Sequence, residues 1–176
     1  GEQWQLHNQT CCGIHFGGWT QIGYHEAPTN RSRARGDLGA FNDVPDNLEL
    51  HSQWFYAEKE AKANSCCWNW GFRADLMYGT DAQKTQGFGG ADWDNDWDHG
   101  VYGWAAPQLY ATVANQDWKF TIGKFFTLVG YEVVTAPGNF FFSHALTMFN
   151  SEPFTHTGVL AERAINNNTT VYLGWT

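Results

Sequence analysis

Basic residues are scarce in this sequence. Lysine and arginine number 10 against 18 aspartates and glutamates, and the formal net charge is −8. A nucleic-acid binder needs a basic face to neutralise phosphates, and a polybasic membrane-surface module needs clustered lysine and arginine. The composition argues against both classes, and we expect no nucleic-acid partner.

Long hydrophobic runs are also missing. The most apolar stretches, such as residues 125–130, are far shorter than the ~20 apolar residues that a membrane-spanning helix needs. The mean hydropathy of −0.47 does not identify a soluble protein. A transmembrane β-barrel alternates apolar with polar residues along each strand, so its average hydropathy stays low.

Catalytic and cofactor motifs are absent as well. The seven histidines are scattered, and none forms an H-x-x-x-H or H-E-x-x-H pair. No G-x-S-x-G elbow, phosphate-binding loop or dinucleotide fingerprint occurs, and no spacing of carboxylates singles out a glycosidase pair. We therefore expect no enzyme and no cofactor, apart from the calcium considered below.

Aromatic residues and glycine are abundant: the chain has 10 Trp, 7 Tyr, 13 Phe and 19 Gly in 176 residues. Disordered chains have few aromatics and much charge, and helical bundles are dominated by Ala, Leu, Glu and Lys. The composition is typical of a β protein with many turns. The length predicts one domain over residues 1–176, or the N-terminal portion of a larger one.

The clearest alternation of side chains covers residues 70–79. Successive side chains of a strand point to opposite sides, so this run has two distinct faces. The apolar face carries Trp70, Phe72, Ala74, Leu76 and Tyr78, and the polar face carries Gly71, Arg73, Asp75, Met77 and Gly79. Rings at both ends of the apolar face are typical of a strand that crosses a bilayer.

Similar runs over residues 14–24, 48–56, 107–114, 118–123, 159–165 and 170–176 bring the expected number of strands to about seven. Short links alternate with long loops, at about 25–47, 80–104 and 127–157, after an N-terminal cysteine-bearing segment, 1–12. This alternation is uncommon in soluble sandwiches and usual in outer-membrane barrels. We predict an all-β, antiparallel transmembrane β-barrel. Because bacterial barrels have an even number of strands, seven strands predict an incomplete one, closed by remaining barrel strands or by homo-oligomer partners.

The four cysteines form two vicinal pairs, Cys11-Cys12 and Cys66-Cys67. Neighbouring cysteines do not have the C-x-x-C spacing with which zinc motifs hold the metal. Both pairs fall at the short-turn end of the predicted sheet. One or two disulfides formed in an oxidising periplasm are predicted; four free thiols are the alternative.

An acidic run carries aspartate at every second position, Asp92, Asp94, Asp96 and Asp98. Carboxylates in this pattern can surround a hard cation such as calcium. The spacing is not that of an EF-hand, and an acidic surface loop that bears tryptophans is the alternative.

Two of the long loops have distinctive compositions. One of them carries arginine at every second position, Arg31, Arg33 and Arg35. We interpret this arginine comb either as a group that attracts anions or simply as part of a solvated loop. The other, residues 131–153, is rich in phenylalanine. Because exposing that many rings to water is costly, we expect this loop to fold inward or pack on its neighbours.

Several strings resemble a known family, the OmpL-like outer-membrane β-barrel porins that are abundant in planctomycete-type bacteria. The strings are Phe41-Asn42-Asp43-Val44-Pro45-Asp46-Asn47-Leu48, Gln53-Trp54-Phe55-Tyr56-Ala57-Glu58, Asn69-Trp70-Gly71-Phe72-Arg73, Tyr78-Gly79-Thr80-Asp81-Ala82-Gln83, Trp104-Ala105-Ala106-Pro107-Gln108-Leu109-Tyr110, Gly130-Tyr131-Glu132-Val133-Val134 and Asn150-Ser151-Glu152-Pro153-Phe154-Thr155-His156-Thr157-Gly158-Val159. The resemblance extends from about Gly13 onward. It implies a Gram-negative outer-membrane barrel, of which this chain is the N-terminal part, and it carries over no catalytic residues.

On this basis we expect a porin-like passive channel for small polar solutes or ions, with outer-membrane lipid as its partner. The predicted lipid-facing residues are Trp70, Phe72, Leu76, Tyr78, Trp118, Phe120, Ile122, Val171, Leu173 and Trp175. The predicted lumen and selectivity residues are Arg73, Asp75, Gln108, Thr112, Lys119 and Thr121, together with the arginine comb. The excess of acid predicts a mild preference for cations.

Two other functions remain open at this point. An outer-surface structural protein could assemble through its sheet edges into tubes or filaments, because free edges recruit strands. A secreted, Trp-rich β-sandwich could bind carbohydrate with calcium.

Overall fold

The computed structural model describes residues 11–26, 41–42, 44–62, 66–87, 93–166 and 168–176. The strands are β1 (His15–Tyr24), β2 (Leu48–Lys59), β3 (Asn69–Gly79), β4 (Asp98–His99), β5 (Tyr102–Ala105), β6 (Leu109–Ala114), β7 (Trp118–Phe126), β8 (Thr155–Asn166) and β9 (Thr169–Trp175). Two short helices, α1 (Ala82–Thr85) and α2 (Leu146–Ser151), lie in the connections. The all-β prediction is confirmed. In the described part of the chain, no helix is long and apolar enough to span a membrane.

All nine strands belong to one antiparallel sheet. The seven long strands follow the order β1-β2-β3-β6-β7-β8-β9, and the short β4–β5 hairpin joins β3 through β5. The sequence therefore predicts the long strands correctly and misses only this hairpin, which lies within the second long connection. Among the described residues no ladder joins β1 to β9, so the sheet is not closed.

Short and long connections alternate along the sheet, as predicted. Short links join β2 to β3, β6 to β7, and β8 to β9, and we call this edge of the sheet the turn end. Long connections join the strands at the opposite edge, the loop end. Asn115 shapes one of the short links, because its side-chain oxygen accepts hydrogen bonds from the backbone of Asp117 and Trp118.

The two faces expected for β3 continue across the sheet. Arg73 stands opposite Glu58 on β2 and Tyr110 on β6, and residues directly opposite each other in an antiparallel pair share a face. Exposure separates the faces: Ile122 is 56% exposed on the apolar face, whereas Asp75 is 5% exposed on the polar face.

The alternation expected for β2 is wrong near its middle. The register between β1 and β2 shifts where Gln21 and Ile22 stand opposite Ser52 and Leu50. His51 is thus an extra residue, which is the definition of a β-bulge. His51 and Ser52 are consecutive and both buried, although strict alternation places them on opposite faces.

A second irregularity lies in β7. Gly123 has a φ of +131°, a conformation that residues with a side chain rarely adopt. Beyond it, Lys124 reaches Asp94 and the ring of Phe126 packs 6.3 Å from that of Trp54, on the polar face. Strict alternation after Ile122 would have placed both residues on the apolar face.

The core lies at the loop end of the polar face, under the long connections. Trp54, Met77, Ala82 and Ala105 form one buried cluster, and the ring of Trp19 stacks on that of Trp54 at 4.7 Å. A second cluster joins Phe41, Met148 and Phe154. The phenylalanine-rich connection therefore does pack against its neighbours in part, through Met148 and Val134. Phe140 and Phe141, however, remain 92% and 69% exposed.

Candidate functional site

A buried carboxylate organises the middle of the polar face. Asp75 on β3 accepts hydrogen bonds from the indole nitrogen of Trp54 and from the side-chain amide of Gln108, each at 3.1 Å. The guanidinium of Arg73 also donates to it. Three donors on three segments satisfy this carboxylate, which fixes the relative positions of β2, β3 and the residues that precede β6.

Arg73 extends this cluster towards the turn end. Its guanidinium donates to Glu58, directly opposite on β2, as well as to Asp75. The guanidinium carbon lies over the ring of Tyr56, 4.0 Å from its centre. Stacking and two ion pairs together hold the side chain in one orientation.

The cluster opens to solvent at one position. The side chain of Asp75 is fully buried and that of Arg73 is 16% exposed, whereas that of Glu58 is 36% exposed. Two carboxylates face one guanidinium, so the cluster carries an excess negative charge on its accessible side. Such a surface attracts cations and hydrogen-bonds polar solutes.

The structure brings six of the predicted lumen residues onto one face. Thr112 stands opposite Thr121, and both are buried, while Lys119 forms a 3.6 Å ion pair with Glu162 nearer the turn end. The complete set is Arg73, Asp75, Gln108, Thr112, Lys119 and Thr121. Arg31, Arg33 and Arg35 lie outside the described residues. That this face lines a channel stays a prediction.

The ten predicted lipid-facing residues lie together on the apolar face. They are Trp70, Phe72, Leu76 and Tyr78 on β3, Trp118, Phe120 and Ile122 on β7, and Val171, Leu173 and Trp175 on β9. Many are well exposed, and Trp175 reaches 83%. Their contact with lipid stays a prediction.

A buried ion pair at the loop end was not anticipated. The amine of Lys124 lies 2.8 Å from both carboxylate oxygens of Asp94, and the two side chains are 2% and 0% exposed. Asp94 also accepts the backbone N–H of Gly87 and of Ala106. It therefore fastens the second long connection to β7. The signal that sequence reasoning missed is Lys124 itself, a lysine where alternation predicts an apolar residue.

This ion pair bears on the predicted calcium site. Asp94 is occupied by Lys124, Asp98 accepts a 2.7 Å hydrogen bond from Gln86, and Asp96 is exposed with a φ of +65°. Asp92 lies outside the described residues. In the ranges that the structure describes, no three metal-ligating side chains come together. Calcium binding stays a prediction.

Two histidines lie beneath the long connections. His51 Nδ1 is 3.4 Å from a carboxylate oxygen of Asp81, and His144 Nδ1 is 3.7 Å from Glu132. Burial raises the pKa of Asp81, which its hydrogen bond with His51 opposes. Burial lowers the pKa of His144, against the attraction of Asp81 and Glu132. Protonating the imidazole of His144 therefore costs free energy in the folded protein.

The predicted disulfides receive no support. Cys12, Cys66 and Cys67 are exposed, and no two described cysteines lie at disulfide distance. The two vicinal pairs precede β1 and β3, which are separated by β2. Two strand spacings amount to about 10 Å, more than the Cα separation that a disulfide bridges.

Comparison with known protein families gives a match. The model of the family described as "Putative beta-barrel porin-2, OmpL-like" matches residues 13–176. Among curated proteins and among solved structures, nothing matches the chain.

Proposed function

Because the chain belongs to this family of OmpL-like beta-barrel porins, we propose that its sheet forms a wall of an outer-membrane pore for small polar solutes and ions. Transport through such a pore is passive, and the wall acts through its charge and the width it leaves open. No catalytic step is required of the residues described above.

The contrast between the two faces carries this proposal. On the apolar face of β3, Trp70 lies towards the turn end and Tyr78 at the loop end, with Ala74 and Leu76 between them. From position 70 to position 78 the strand rises about 26 Å, which at a tilt of roughly 40° spans about 20 Å of the ~25 Å apolar band of outer-membrane barrels. Tyr78 joins Tyr102 and Trp104 in an aromatic group, with ring centres 5.8 and 4.7 Å away.

The polar face supports a lumen that prefers cations. Towards the turn end it carries three acidic side chains, Glu58, Asp75 and Glu162, and two basic ones, Arg73 and Lys119. The buried pair of Asp94 and Lys124 adds no net charge. At the loop end the long connections cover this face, so they would narrow the pore there.

Reconstitution into planar lipid bilayers tests the proposal. A gradient of potassium chloride should give stepwise currents whose reversal potential indicates that potassium passes more readily than chloride. Glu58→Gln removes the accessible acid and should move the reversal potential towards zero. Protein that inserts into the bilayer and conducts no ions would contradict the proposal.

The alternatives predict different outcomes. The described strands form one sheet and not two packed sheets, so a carbohydrate-binding sandwich gains no support. If the protein instead assembles through its sheet edges, electron microscopy should show tubes or filaments, and the bilayers should show no conductance.

A further inference from the structure

The apolar face carries very little charge, and that charge is of one sign. Among the described residues of the seven long strands, Lys59 and Arg163 are its only charged side chains. Lys59 stands opposite Phe72, and Arg163 stands opposite Trp118 and Val171. No described ion pair joins either of them to a carboxylate. Two basic groups thus project from an apolar surface without a counter-charge from the part of the chain that the structure describes.

Each of these cations rests on a tryptophan. The amine of Lys59 lies 3.5 Å from the ring centre of Trp70, and the guanidinium of Arg163 lies 4.9 Å from that of Trp118. The ring attracts the cation from one side and leaves the other side open to a further partner. Trp70 is itself 55% exposed, so the pair is accessible from outside.

Both pairs lie at the turn end of the sheet. Lys59 is the last residue of β2, and Trp118 is the first residue of β7. The ring of Phe120 lies 5.6 Å from that of Trp118 and 5.9 Å from that of Trp68, so it links the two pairs. The result is an aromatic belt with two embedded cations. We call it the basic belt, defined by Lys59, Trp68, Trp70, Trp118, Phe120 and Arg163.

The loop end has the opposite character. Tyr78 there shares a 3.2 Å hydrogen bond with His99, and the exposed Asp98 lies beside His99 on β4. The one basic side chain that the described contacts place close by, Lys84, donates to the backbone oxygen of Thr80. Aromatic rings therefore occur at both ends of the apolar face, but among the described residues of the long strands basic groups project from it at the turn end only. If basic groups were placed only according to their depth in the membrane, both ends of the apolar face would carry them. Depth alone therefore does not account for this asymmetry.

We propose that the basic belt binds the phosphates of anionic phospholipid headgroups, with Lys59 and Arg163 each holding one. Tryptophan and tyrosine rings sit at headgroup level, which places their cations at the depth of the phosphates. A guanidinium binds phosphate through two parallel N–H donors, and an ammonium binds it as a point charge. The inference rests on the proposed function, because it requires the apolar face to lie in lipid.

Vesicle reconstitution tests the belt. The protein is folded into vesicles of phosphatidylcholine alone and into vesicles that also contain phosphatidylglycerol, and the folded, protease-protected fraction is titrated against lipid. Two basic side chains near an anionic surface should favour the phosphatidylglycerol vesicles by about tenfold or more at low salt. The double variant Lys59→Gln/Arg163→Gln should insert into phosphatidylcholine as well as the parent protein does and should lose most of that preference.

Two further variants separate the explanations. Lys59→Arg/Arg163→Lys keeps both charges and should keep the preference. Lys119→Gln removes a lysine of the polar face near the same end and should also leave it unchanged. If the parent protein inserts but the double variant shows the same lipid preference, the basic belt is wrong and the pore proposal stands. If the protein inserts into neither kind of vesicle, the pore proposal fails and the belt fails with it.

Discussion

The two ends of the polar face hold charged side chains in opposite circumstances. At the loop end, Asp94 and Lys124 are 0% and 2% exposed and lie beneath a long connection. At the turn end, Lys119 and Glu162 are 47% and 32% exposed, and no long connection joins the strands there. The same kind of ion pair therefore stands in a packed interior at one end and in contact with solvent at the other.

This difference separates structural charges from functional ones. A buried carboxylate left without its cation is strongly destabilising, so Asp94 and Lys124 depend on each other. An exposed pair contributes little to stability, and its charges remain accessible to solvent. We infer that loop-end charges hold the connections in place, and the proposed pore would take its selectivity from the turn-end charges.

The largest effect is expected from Lys124→Met. The substitution leaves Asp94 buried with two backbone donors and no cation, and it should lower the free energy of unfolding by about 3–5 kcal/mol. The second long connection would lose its attachment to β7, so the single-channel conductance should also rise. Urea unfolding in vesicles, followed by planar-bilayer recording, measures both quantities.

Two variants accompany this experiment. Lys119→Met breaks the exposed pair with Glu162 and should cost less than about 1 kcal/mol. Asp94→Asn/Lys124→Met removes both charges and should recover part of the stability lost in the single variant. Equal losses for Lys124→Met and Lys119→Met would show that the two ends do not differ as we argue.

A smaller effect should appear as pH dependence at the loop end. Burial lowers the pKa of His144 below its ordinary value of 6.5, so the contribution of this residue to stability is complete above 6.5. It is lost as the pH falls through the lowered folded-state pKa. The urea midpoint should therefore fall as the pH is lowered below 6.5, and His144→Gln should flatten that slope.

Asp81 provides the control of opposite sign. Burial raises its pKa above 3.8, so its contribution to stability is present below 3.8 and is lost as the pH rises through the raised value. Asp81→Asn should remove the part of the pH dependence that lies between 3.8 and that raised value. A midpoint for His144→Gln that falls on acidification as steeply as that of the parent protein would assign the acid sensitivity to another group.

Sequence patterns predicted most of the fold. They also predicted the charged residues of the turn end, but not the buried ion pair of the loop end. Alternation located the seven long strands and put Arg73 and Asp75 on one face, because both features depend only on neighbours along the chain. The bulge at His51 and the reversal at Gly123 broke the alternation, since each depends on how a strand meets its partner. The pairing of Asp94 with Lys124 was invisible for the same reason: the two residues are 30 positions apart.

The smallest expected effect is also the one that tests the turn end most directly. Glu58 is the accessible acid beside Arg73, with its side chain 36% exposed. Glu58→Gln should change the free energy of unfolding by less than about 1 kcal/mol. It should lower the ratio of potassium to chloride permeability by about two- to fivefold, because up to roughly 1 kcal/mol of Coulomb attraction at contact distance is lost.

Asp96→Asn removes an equal charge from an exposed site in the second long connection and should leave the ratio unchanged. If both variants lower it equally, selectivity arises from the overall negative charge of the protein and the turn end has no special part in it.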